Sequence, residues 1–376
     1  MSINRPIRVI HIMPQIGIGG AERQLIVLIR HSSRKLMSHE VLYYSDSVDD
    51  EGYRLYREAG IDFTRVPRVK RRPLMFLQDL SRIIKEKNPD IVHCWLWSGN
   101  IWGRWAALAA GHRSILLAYR NSRPLYASLL RAQEWLSPKY LHYLGNSKAV
   151  QESLVRMIGV DPRRIRVVYN GVDLDRYRSS SPYPDLRREL SVRSDVRIVT
   201  TVGRLVPEKN HDMLLDIAEC CYRRNLPVHF VIVGHGAEGE RLRARLEHMP
   251  CVHDVTFLGL RVDVADILAS SDVFLFTSLH EGFPNALLEA MASGLPAIST
   301  NFPCAHEFID DGENGTIIPI GKAEYGADAI QSYLSQPELA RCHGRNARRT
   351  IEERFAANVM VKRTYEYYCD ILEQRA

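Results

Sequence analysis

Short apolar runs alternate with longer amphipathic stretches through the first half of the chain. The runs have the length of buried strands, and the stretches between them, such as residues 74–87 and 147–158, have the periodicity of helices. The predicted strands cover residues 9–13, 41–44, 63–66, 91–93, 115–118, 141–144 and 165–169. Strands that alternate with helices in this way predict a parallel sheet with helices on both faces.

The alternation lapses over residues 172–192, where Pro182 and Pro184 indicate a linker, and then resumes. Further strands are predicted over residues 197–202, 228–233, 255–258, 273–276, 296–299 and 316–318. The tail over residues 337–375 is predicted as helix with a break near Phe355. The predicted fold class is therefore α/β, with two doubly wound, Rossmann-like domains in series. Ligands of such sheets bind at the carboxyl ends of strands, so we expect a site in a cleft between the domains.

The composition is that of a globular protein with two domains. The chain has 376 residues, 45% of them apolar and 25% charged, and no apolar run is long enough to span a bilayer. The N-terminus lacks the features of a signal peptide, and the seven cysteines include no CxxC pair. We therefore expect a reduced, cytoplasmic protein with neither a disulfide framework nor a zinc site.

The net charge of +6 hides an asymmetry between the two halves. Residues 1–190 have 31 Lys and Arg against 18 Asp and Glu, an excess of +13, which leaves residues 191–376 with a net charge of −7. A basic half beside an acidic half predicts two domains with different partners. A basic surface suits phosphate-bearing ligands, anionic lipid headgroups or nucleic acid.

Three glycines, Gly17, Gly19 and Gly20, lie between the first predicted strand and the first predicted helix. Glycine lets the backbone approach an anion closely, and a helix N-terminus provides N–H groups and a partial positive charge. The spacing is not the GxGxxG of dinucleotide sites, because residue 22 is Glu. The loop fits a phosphate site and fits a plain tight turn equally well.

Two cations follow the first predicted strand of the second half. Arg204 comes directly after Gly203, and Lys209 precedes the next helical pattern. Both side chains are therefore expected at the carboxyl end of a strand. Arginine provides a planar fork and lysine a point charge, which together suit a diphosphate. The alternative is a solvated basic pair around a turn.

A third group of residues runs from Glu281 to Glu289 and follows a predicted strand. Pro284 fits the beginning of a helix, so the N–H groups of residues 285–287 would be available to an anion. Glu289 lies about one turn further along, where a carboxylate accepts from vicinal hydroxyls, and Glu281 lies in the preceding loop. Two glutamates on a helix surface are the alternative.

These residues carry a resemblance to a known family. The motifs are GIGGAE at 17–22, NGVD at 170–173, GRLVPEKN at 203–210, VGHG at 233–236, FLG at 257–259 and EGFPNALLEAMASGLP at 281–296. In this order they resemble the retaining glycosyltransferases of family 4, which have the GT-B fold, and the last motif contains the E-x7-E signature. The resemblance implies two Rossmann-like domains that face each other across a cleft. Residues 1–180 would bind the acceptor, residues 181–355 would bind the donor, and a helix over residues 356–376 would return to the first domain.

The resemblance implies a nucleoside-diphosphate sugar as the donor substrate, with no cofactor and no metal. Arg204, Lys209 and Glu281 would be the catalytic residues, the two cations on the diphosphate and the carboxylate on the donor sugar. The donor-binding residues would be Gly19, Gly20, Gly203, Leu258, Gly259, Gly282, Phe283, Asn285, Ala286, Leu287 and Glu289, the last on the ribose hydroxyls. The DxD triplet at residues 173–175 suggests a metal-dependent transferase of another fold, but it lies in the linker, and we interpret it as chance or capping.

The chain departs from the family pattern at two positions. Many members have a His after the strand that corresponds to residues 115–118, where this chain has Arg120 and Asn121, and a second His where Trp95 stands. Either Arg120 or Asn121 takes that role with different chemistry, or the role is absent. His93 either lines the acceptor side or is a satisfied core histidine. His93, Arg120 and Asn121 are the acceptor-side candidates.

The implied function is transfer of a sugar, UDP- or GDP-linked, to a glycan or lipid-linked acceptor in the assembly of cell-surface polysaccharide or glycolipid. No nucleic-acid partner is expected. A nucleotide-sugar epimerase of the same architecture and a non-catalytic nucleotide-sugar-binding protein are the alternatives. The basic first half predicts peripheral association with the inner face of the membrane, through five cations in residues 65–72 and an aromatic and arginine-rich stretch over residues 101–136.

Overall fold

The computed structural model describes residues 5–17, 19–46, 50–68, 72–121, 127–177 and 186–374. The chain divides into two compact units. The first comprises Met1–Gly171 together with Ala357–Ala376, and the second comprises Val172–Ala356. The domain boundaries expected from the sequence lay between residues 180 and 181 and between residues 355 and 356. The predicted linker is only partly visible, because residues 178–185 lie outside the described residues.

Within the described residues, the first unit has a sheet of seven parallel strands, as the apolar runs predicted. Its order is β3-β2-β1-β4-β5-β6-β7, and the direction of strand order reverses between β1 and β4. The strands are β1 (Ile7–Met13), β2 (Met37–Tyr43), β3 (Asp62–Arg65), β4 (Ile91–Trp95), β5 (Ile115–Tyr119), β6 (His142–Gly145) and β7 (Ile165–Val167).

Helices cover both faces of this sheet because the strands are apolar on both sides. They are α1 (Gly20–His31), α2 (Asp50–Glu58), α3 (Pro73–Lys87), α4 (Leu96–Ala109), α5 (Ala127–Leu136) and α6 (Lys148–Ser153), the last extended by a π-helical turn over Leu154–Ile158. One face packs against α3 to α6, with Phe76 and Leu130 in its core. The other packs against α1 and α2, with Leu25 and Tyr56 in its core.

The second unit repeats the architecture with six parallel strands in the order β10-β9-β8-β11-β12-β13. They are β8 (Arg197–Val202), β9 (Val228–Val233), β10 (Val255–Gly259), β11 (Val273–Phe276), β12 (Ala297–Thr300) and β13 (Gly315–Ile318). The helices are α7 (Leu186–Glu189), α8 (His211–Arg223), α9 (Gly239–Glu247), α10 (Val264–Ala269), α11 (Asn285–Ala292), α12 (Ala323–Ser335) and α13 (Pro337–Arg354). The order reverses between β8 and β11, and ligands of doubly wound sheets bind at such a reversal.

The last helix, α14 (Ala357–Glu373), packs on the first unit, as the sequence predicted. Its Tyr367 hydroxyl donates to the carbonyl oxygen of Tyr143 at 3.1 Å, and its Met360 and Tyr368 join the core of the α1 face. The predicted break near Phe355 is also confirmed, since α13 ends at Arg354. In the described part of the chain, no helix is both long enough and apolar enough to cross a bilayer.

Three histidines of the first unit lie side by side on neighbouring strands. Trp95 Nε1 donates to His11 Nδ1 at 3.0 Å, which places the proton of neutral His11 on Nε2. His11 Nε2 therefore donates to His39 Nδ1 at 2.9 Å, while His93 Nδ1 pairs with the Tyr368 hydroxyl at 2.7 Å. Burial lowers the pKa of His39 to about 4 and holds the pKa of His11 and of His93 well below the usual range.

These histidines predict a loss of stability in acid. Below pH 6.5, their unperturbed pKa, the unfolded chain binds more protons than the folded chain. The free energy of unfolding therefore falls as the pH drops from 6.5 towards 4, by about 1.4 kcal/mol per pH unit for each such histidine. We expect His11→Gln to make this slope shallower by about that amount in urea unfolding. The exposed His253→Gln is the control and should leave the slope unchanged; equal slopes for wild type and His11→Gln would contradict the prediction.

Candidate functional site

The two C-terminal motifs meet at the point where strand order reverses in the second sheet. The loop with Arg204 and Lys209 follows β8, and the loop with Glu281 follows its neighbour β11. Thr277 Oγ1 donates to the carbonyl oxygen of Lys209 at 3.0 Å. The Leu279 N–H donates to the carbonyl oxygen of residue 208 at 2.8 Å. Two stretches about 70 residues apart in sequence are thus held together at the carboxyl edge of the sheet.

Lys209 and Glu281 form an ion pair at the centre of this edge. Lys209 Nζ donates to Glu281 Oε1, and the same oxygen accepts from Ser278 Oγ at 2.9 Å. The ammonium group also lies 4.9 Å from the centroid of the Phe276 ring. Both charged side chains are only about one-sixth exposed, at 18% and 16%. The cation that the sequence assigned to a diphosphate is therefore already paired with a carboxylate and partly desolvated.

Arg204 lies at the same edge and is exposed. Within the described residues its side chain makes no hydrogen bond and no ion pair. Its loop is fixed through the backbone, because the Gly203 N–H donates to Val233 O at 2.9 Å and the Leu205 N–H donates to His235 O at 3.0 Å. An exposed guanidinium on a hydrogen-bonded backbone suits capture of an anion from solvent.

Helix α11 begins at Asn285, with Pro284 in the N-cap position rather than inside the helix. The Leu288 N–H makes the first intrahelical bond, to Pro284 O at 3.4 Å, so the N–H groups of residues 285–287 belong to the first turn. Ala286 and Leu287 stand there as predicted, and Glu289 lies one turn further along, half-buried. The positive end of the helix therefore lies at the edge that also holds Lys209.

The Phe283 side chain has a packing role. Its ring is buried, with centroids 4.9 Å from Phe308 and 5.5 Å from Phe355. Only the backbone of Phe283 is left to meet a sugar, which narrows the predicted contact. The carbonyl oxygen of Gly282 accepts from the buried Cys304 Sγ at 3.2 Å. The three packed aromatic rings and the Cys304 thiol thus hold the loop that contains Gly282 and Phe283.

The predicted donor-binding residues Leu258 and Gly259 connect, through Gly234, to the loop that begins at Gly203. Leu258 and Gly259 end β10, and the Gly234 N–H donates to the carbonyl oxygen of Gly259 at 2.8 Å. Gly234 has a φ of +147°, and a Cβ there would overlap the carbonyl oxygen of Gly203. Neighbouring Arg261 is held by ion pairs with two carboxylates, so it is less available than Arg204.

In the first unit, the glycine loop lies directly over a buried carboxylate. Gly19 is the N-cap of α1 and Gly20 is its first residue. A Cβ on Gly19 would overlap the carboxylate of Glu22, which is 3% exposed and accepts from Gln15 Nε2 at 3.2 Å. The Glu22 carboxylate therefore leaves no room for a side chain at Gly19, whether or not a phosphate binds there. That phosphate contact stays a prediction.

The acceptor-side candidates occupy different environments. Arg120 follows β5, is partly exposed, stacks over the Trp95 ring at 4.4 Å and donates from Nη1 to Asn170 Oδ1 at 2.6 Å. Asn121 is exposed beside it. His93 is 1% exposed and bonded to Tyr368, so its position does not support an acceptor contact. Its side chain points to the sheet face that α14 covers, which the apolar pattern of β4 could not reveal.

Two family models match the chain. Residues 18–176 match Glycosyltransferase Family 4, and residues 183–350 match Glycosyl transferases group 1. A GDP-mannose-dependent alpha-mannosyltransferase of Mycobacterium tuberculosis is 30% identical, with 83% of each chain covered. The chain belongs to glycosyltransferase family 4. The transferase is also 28% identical, over 79% of each chain, to the UDP-Gal:alpha-D-GlcNAc-diphosphoundecaprenol alpha-1,3-galactosyltransferase of Escherichia coli.

The fold of the transferase is that of solved GT-B structures. HepE of Anabaena, crystallised in complex with UDP-glucose, superposes with a TM-score of 0.86 at 21% identity. The superposition covers 97% of this chain and 100% of HepE. The α/β two-domain fold and the family that the motifs implied are therefore both confirmed.

Sequence reasoning missed several residues that shape the two edges. They are Glu22 beneath the glycine loop, Asn170 on Arg120, and Thr277 and Ser278 behind the ion pair. Glu22 and Asn170 lie inside motifs that had been quoted without a role for them. Thr277 and Ser278 directly follow a predicted strand, and that position is a usable signal for residues at a site edge.

The glycine at 234 yields a test of how the edge is built. Gly234→Ala combines a backbone conformation that side chains rarely adopt with an overlap on Gly203, so it should lower the free energy of unfolding by more than about 2 kcal/mol. Gly321→Ala is the matched control, because Gly321 has a φ of +75° and open space around it. It should cost only about 1–2 kcal/mol. Urea unfolding measures both variants. Equal decreases in the free energy of unfolding would show that the close approach of residue 234 to Gly203 does not affect stability.

Proposed function

We propose that the transferase moves a sugar from a nucleoside-diphosphate sugar to a glycan or lipid-linked acceptor in the assembly of cell-surface polysaccharide or glycolipid. The observation that carries this proposal is the joint position of Arg204, Lys209 and the start of α11 at the strand-order reversal of the second sheet. Two cations and a helix N-terminus at one edge match the charge of a diphosphate.

The second unit would hold the donor. Arg204 and Lys209 would contact the diphosphate, together with the N–H groups of residues 285–287, and Glu289 would accept from the ribose hydroxyls. The names of the relatives support UDP or GDP as the nucleotide, since the E. coli enzyme is named for UDP-Gal and the M. tuberculosis enzyme for GDP-mannose. The E. coli name also supports a lipid-linked acceptor, because it specifies a diphosphoundecaprenol.

The chemistry follows from the group that leaves. Cleavage of the sugar–phosphate bond builds negative charge on the diphosphate, and fixed cations stabilise that charge as it develops. Glu281 would face the donor sugar. Its Oε1 already accepts from Lys209 and Ser278, which stabilises the carboxylate and makes it a poor covalent nucleophile. Attack on the same face as the departing phosphate, with retention at the anomeric carbon, fits this arrangement better.

We also propose that transfer is independent of metal ions. Arg204 and Lys209 supply the charge that a divalent cation supplies in other transferases. No group of three or more metal-type ligands occurs in the described part of the chain. Asp173 of the DxD triplet accepts from the N–H of Asp175 at 3.3 Å, which fits a capping role.

The decisive experiment is a transfer assay with UDP- and GDP-sugars, run in the presence of EDTA. Arg204→Ala and Lys209→Ala should each reduce turnover about tenfold to a hundredfold, since each removes a charge-assisted contact to the leaving diphosphate. Arg243→Ala is the control, because Arg243 lies over the Phe257 ring at 5.0 Å in the same unit without belonging to the proposed site. Near-normal turnover in both site variants would disprove the assignment, and rescue by manganese after complete loss in EDTA would disprove metal independence.

A lipid-linked acceptor would require contact with a membrane, which we also propose. The basic segment predicted for this contact offers less than its sequence suggested. Arg65 pairs with Asp46, and Arg68 is stacked 5.0 Å from the Trp102 ring centroid. Residues 69–71 lie outside the described residues. In the aromatic stretch, Arg104 is fully buried, so it contributes no surface charge.

Helix α5 is the better candidate for the membrane contact, because its apolar face is exposed. Leu129, Trp135 and Leu136 have 46%, 80% and 62% of their surface exposed. Exposed Arg131 and Lys139 flank them. An aromatic and aliphatic surface beside cations suits the interface of an anionic leaflet.

The buried face of α5 holds two polar residues, Gln133 and Glu134, beside Leu130, whereas a surface helix usually buries an apolar stripe. Glu134 is 3% exposed, accepts from Arg164 Nη1 at 2.6 Å and accepts from the Tyr143 hydroxyl. Ser137, just after the helix, accepts from the buried Arg104 at 3.0 Å. The helix is therefore anchored by these polar contacts together with Leu130, and its exposed apolar residues Leu129, Trp135 and Leu136 take no part in that core.

Sedimentation with vesicles tests the contact. The double variant Trp135→Ser, Leu136→Ser should lower binding to anionic vesicles at least tenfold, since burial of each side chain contributes about 1.5–3 kcal/mol. The control is Leu36→Ser, Tyr325→Ser, which removes two exposed apolar residues from other surfaces. Changing Lys70, Arg71 and Arg72 to Glu tests the basic segment separately. Equal binding by the α5 variant and the control would exclude α5 as the contact.

A further inference from the structure

The two departures from the family pattern touch each other. The Arg120 guanidinium lies 4.4 Å from the centroid of the Trp95 ring, and Trp95 is 1% exposed. The ring is held in turn by stacking on His93 at 4.6 Å and by its Nε1–H bond to His11. The two replaced positions therefore form one cation–π pair on a rigid base, in place of two separate imidazoles.

Among the described residues, the charge of Arg120 has no partner of opposite sign. Its Nη1 donates to Asn170 Oδ1 at 2.6 Å, which is a neutral amide oxygen. Within the described residues no carboxylate lies at ion-pair distance from Arg120, and its buried Nε–H has no hydrogen-bond partner. The Nε–H is therefore a buried donor that the described residues leave unsatisfied, on the side of the guanidinium that binds oxyanions through two parallel bonds.

The carboxylate of Glu22 acts electrostatically on Arg120, but it already accepts a hydrogen bond from Gln15. Burial lowers the pKa of Arg120 to about 9, and the field of Glu22 only partly opposes this shift. Arg120 stays protonated at neutral pH. A partly desolvated cation without a counter-charge costs stability, and a bound anion would lower that cost.

Arg120 also lies where ligands of such sheets bind. It follows the carboxyl end of β5, and its stacking partner Trp95 ends β4, next to the reversal of strand order in the first sheet. The donor diphosphate already has two cations in the second unit. A cation at this edge of the first unit is therefore available to a different anion.

We propose that Arg120 binds an oxyanion of the acceptor, a phosphate or a carboxylate, through the Nε and Nη2 side of its guanidinium. Trp95 and Asn170 are its positioning residues. The word acceptor rests on the proposed function, whereas anion binding at Arg120 does not. Phosphate and carboxylate share this chemistry, and the experiment separates them.

The test uses the full chain with Arg204→Ala and Lys209→Ala, which removes the cations of the second unit. Titration calorimetry with inorganic pyrophosphate, and separately with glucuronate, measures anion binding. Adding Arg120→Gln should weaken binding of at least one of the two probes about tenfold or more, since it removes a charge-assisted bidentate contact. Arg120→Lys keeps the charge without the fork and should bind with intermediate affinity.

Arg57→Gln is the matched control, because Arg57 also stacks on an aromatic ring of the first unit, at 5.0 Å from Tyr53. It should leave both affinities unchanged. Loss of pyrophosphate binding alone identifies a phosphate, and loss of glucuronate binding alone identifies a carboxylate. If Arg120→Gln and Arg120→Lys, both folded by circular dichroism, bind both probes as the parent does, the inference is wrong.

The transfer assay gives an independent readout. In the otherwise wild-type chain, Arg120→Gln should raise KM for the acceptor at least tenfold and leave KM for the donor unchanged. A rise in the donor KM instead would move the anion to the donor and overturn the assignment. If no donor supports transfer while Arg120-dependent anion binding persists, the proposed function fails and the anion site stands.

Discussion

The pairing of Lys209 with Glu281 is the interaction on which the carboxyl edge of the second sheet depends. It joins the loops after β8 and β11 at the strand-order reversal, with Ser278 on the same carboxylate oxygen. Because both groups are mostly buried, each lowers the cost of the other's charge. A phosphate that approaches this edge adds a second anion to a lysine with three donors. The ion pair between Lys209 and Glu281 then weakens, and the hydrogen bond from Ser278 keeps the Glu281 carboxylate in position.

Arg204 and Arg120 differ from Lys209 in having no carboxylate partner among the described residues. Arg204 is exposed, so water solvates it and its lack of a partner costs little. Arg120 is stacked on Trp95 and partly desolvated, so its lack of a partner costs more. An exposed cation suits capture of an anion from solvent, and a cation held by stacking suits a fixed contact.

The sequence predicted much of this arrangement, because the relevant signals are local. Buried parallel strands are short apolar runs, so their positions and the return of α14 followed from pattern and family resemblance. The strand order does not follow from pattern, and it is this order that brings Lys209 and Glu281 together. Side-chain direction was also hidden. Phe283 and His93 were themselves predicted as site residues, yet their rings point into packed cores that only the folded chain defines.

In helix α5, the apolar residues Trp135 and Leu136 face outward, although apolar residues of a surface helix usually face the core. Trp135 and Leu136 lie in a helix that would ordinarily place them inward, yet Glu134 occupies the buried side through its contact with Arg164. A buried ion pair stabilises a fold only with good geometry and further hydrogen bonds, and here the Tyr143 hydroxyl provides one. These polar contacts fix the orientation of the helix. A rotation of the helix by one residue would bury Trp135 and break the ion pair between Glu134 and Arg164. The helix is thus held with its apolar side outward by the specificity of the contacts beneath it.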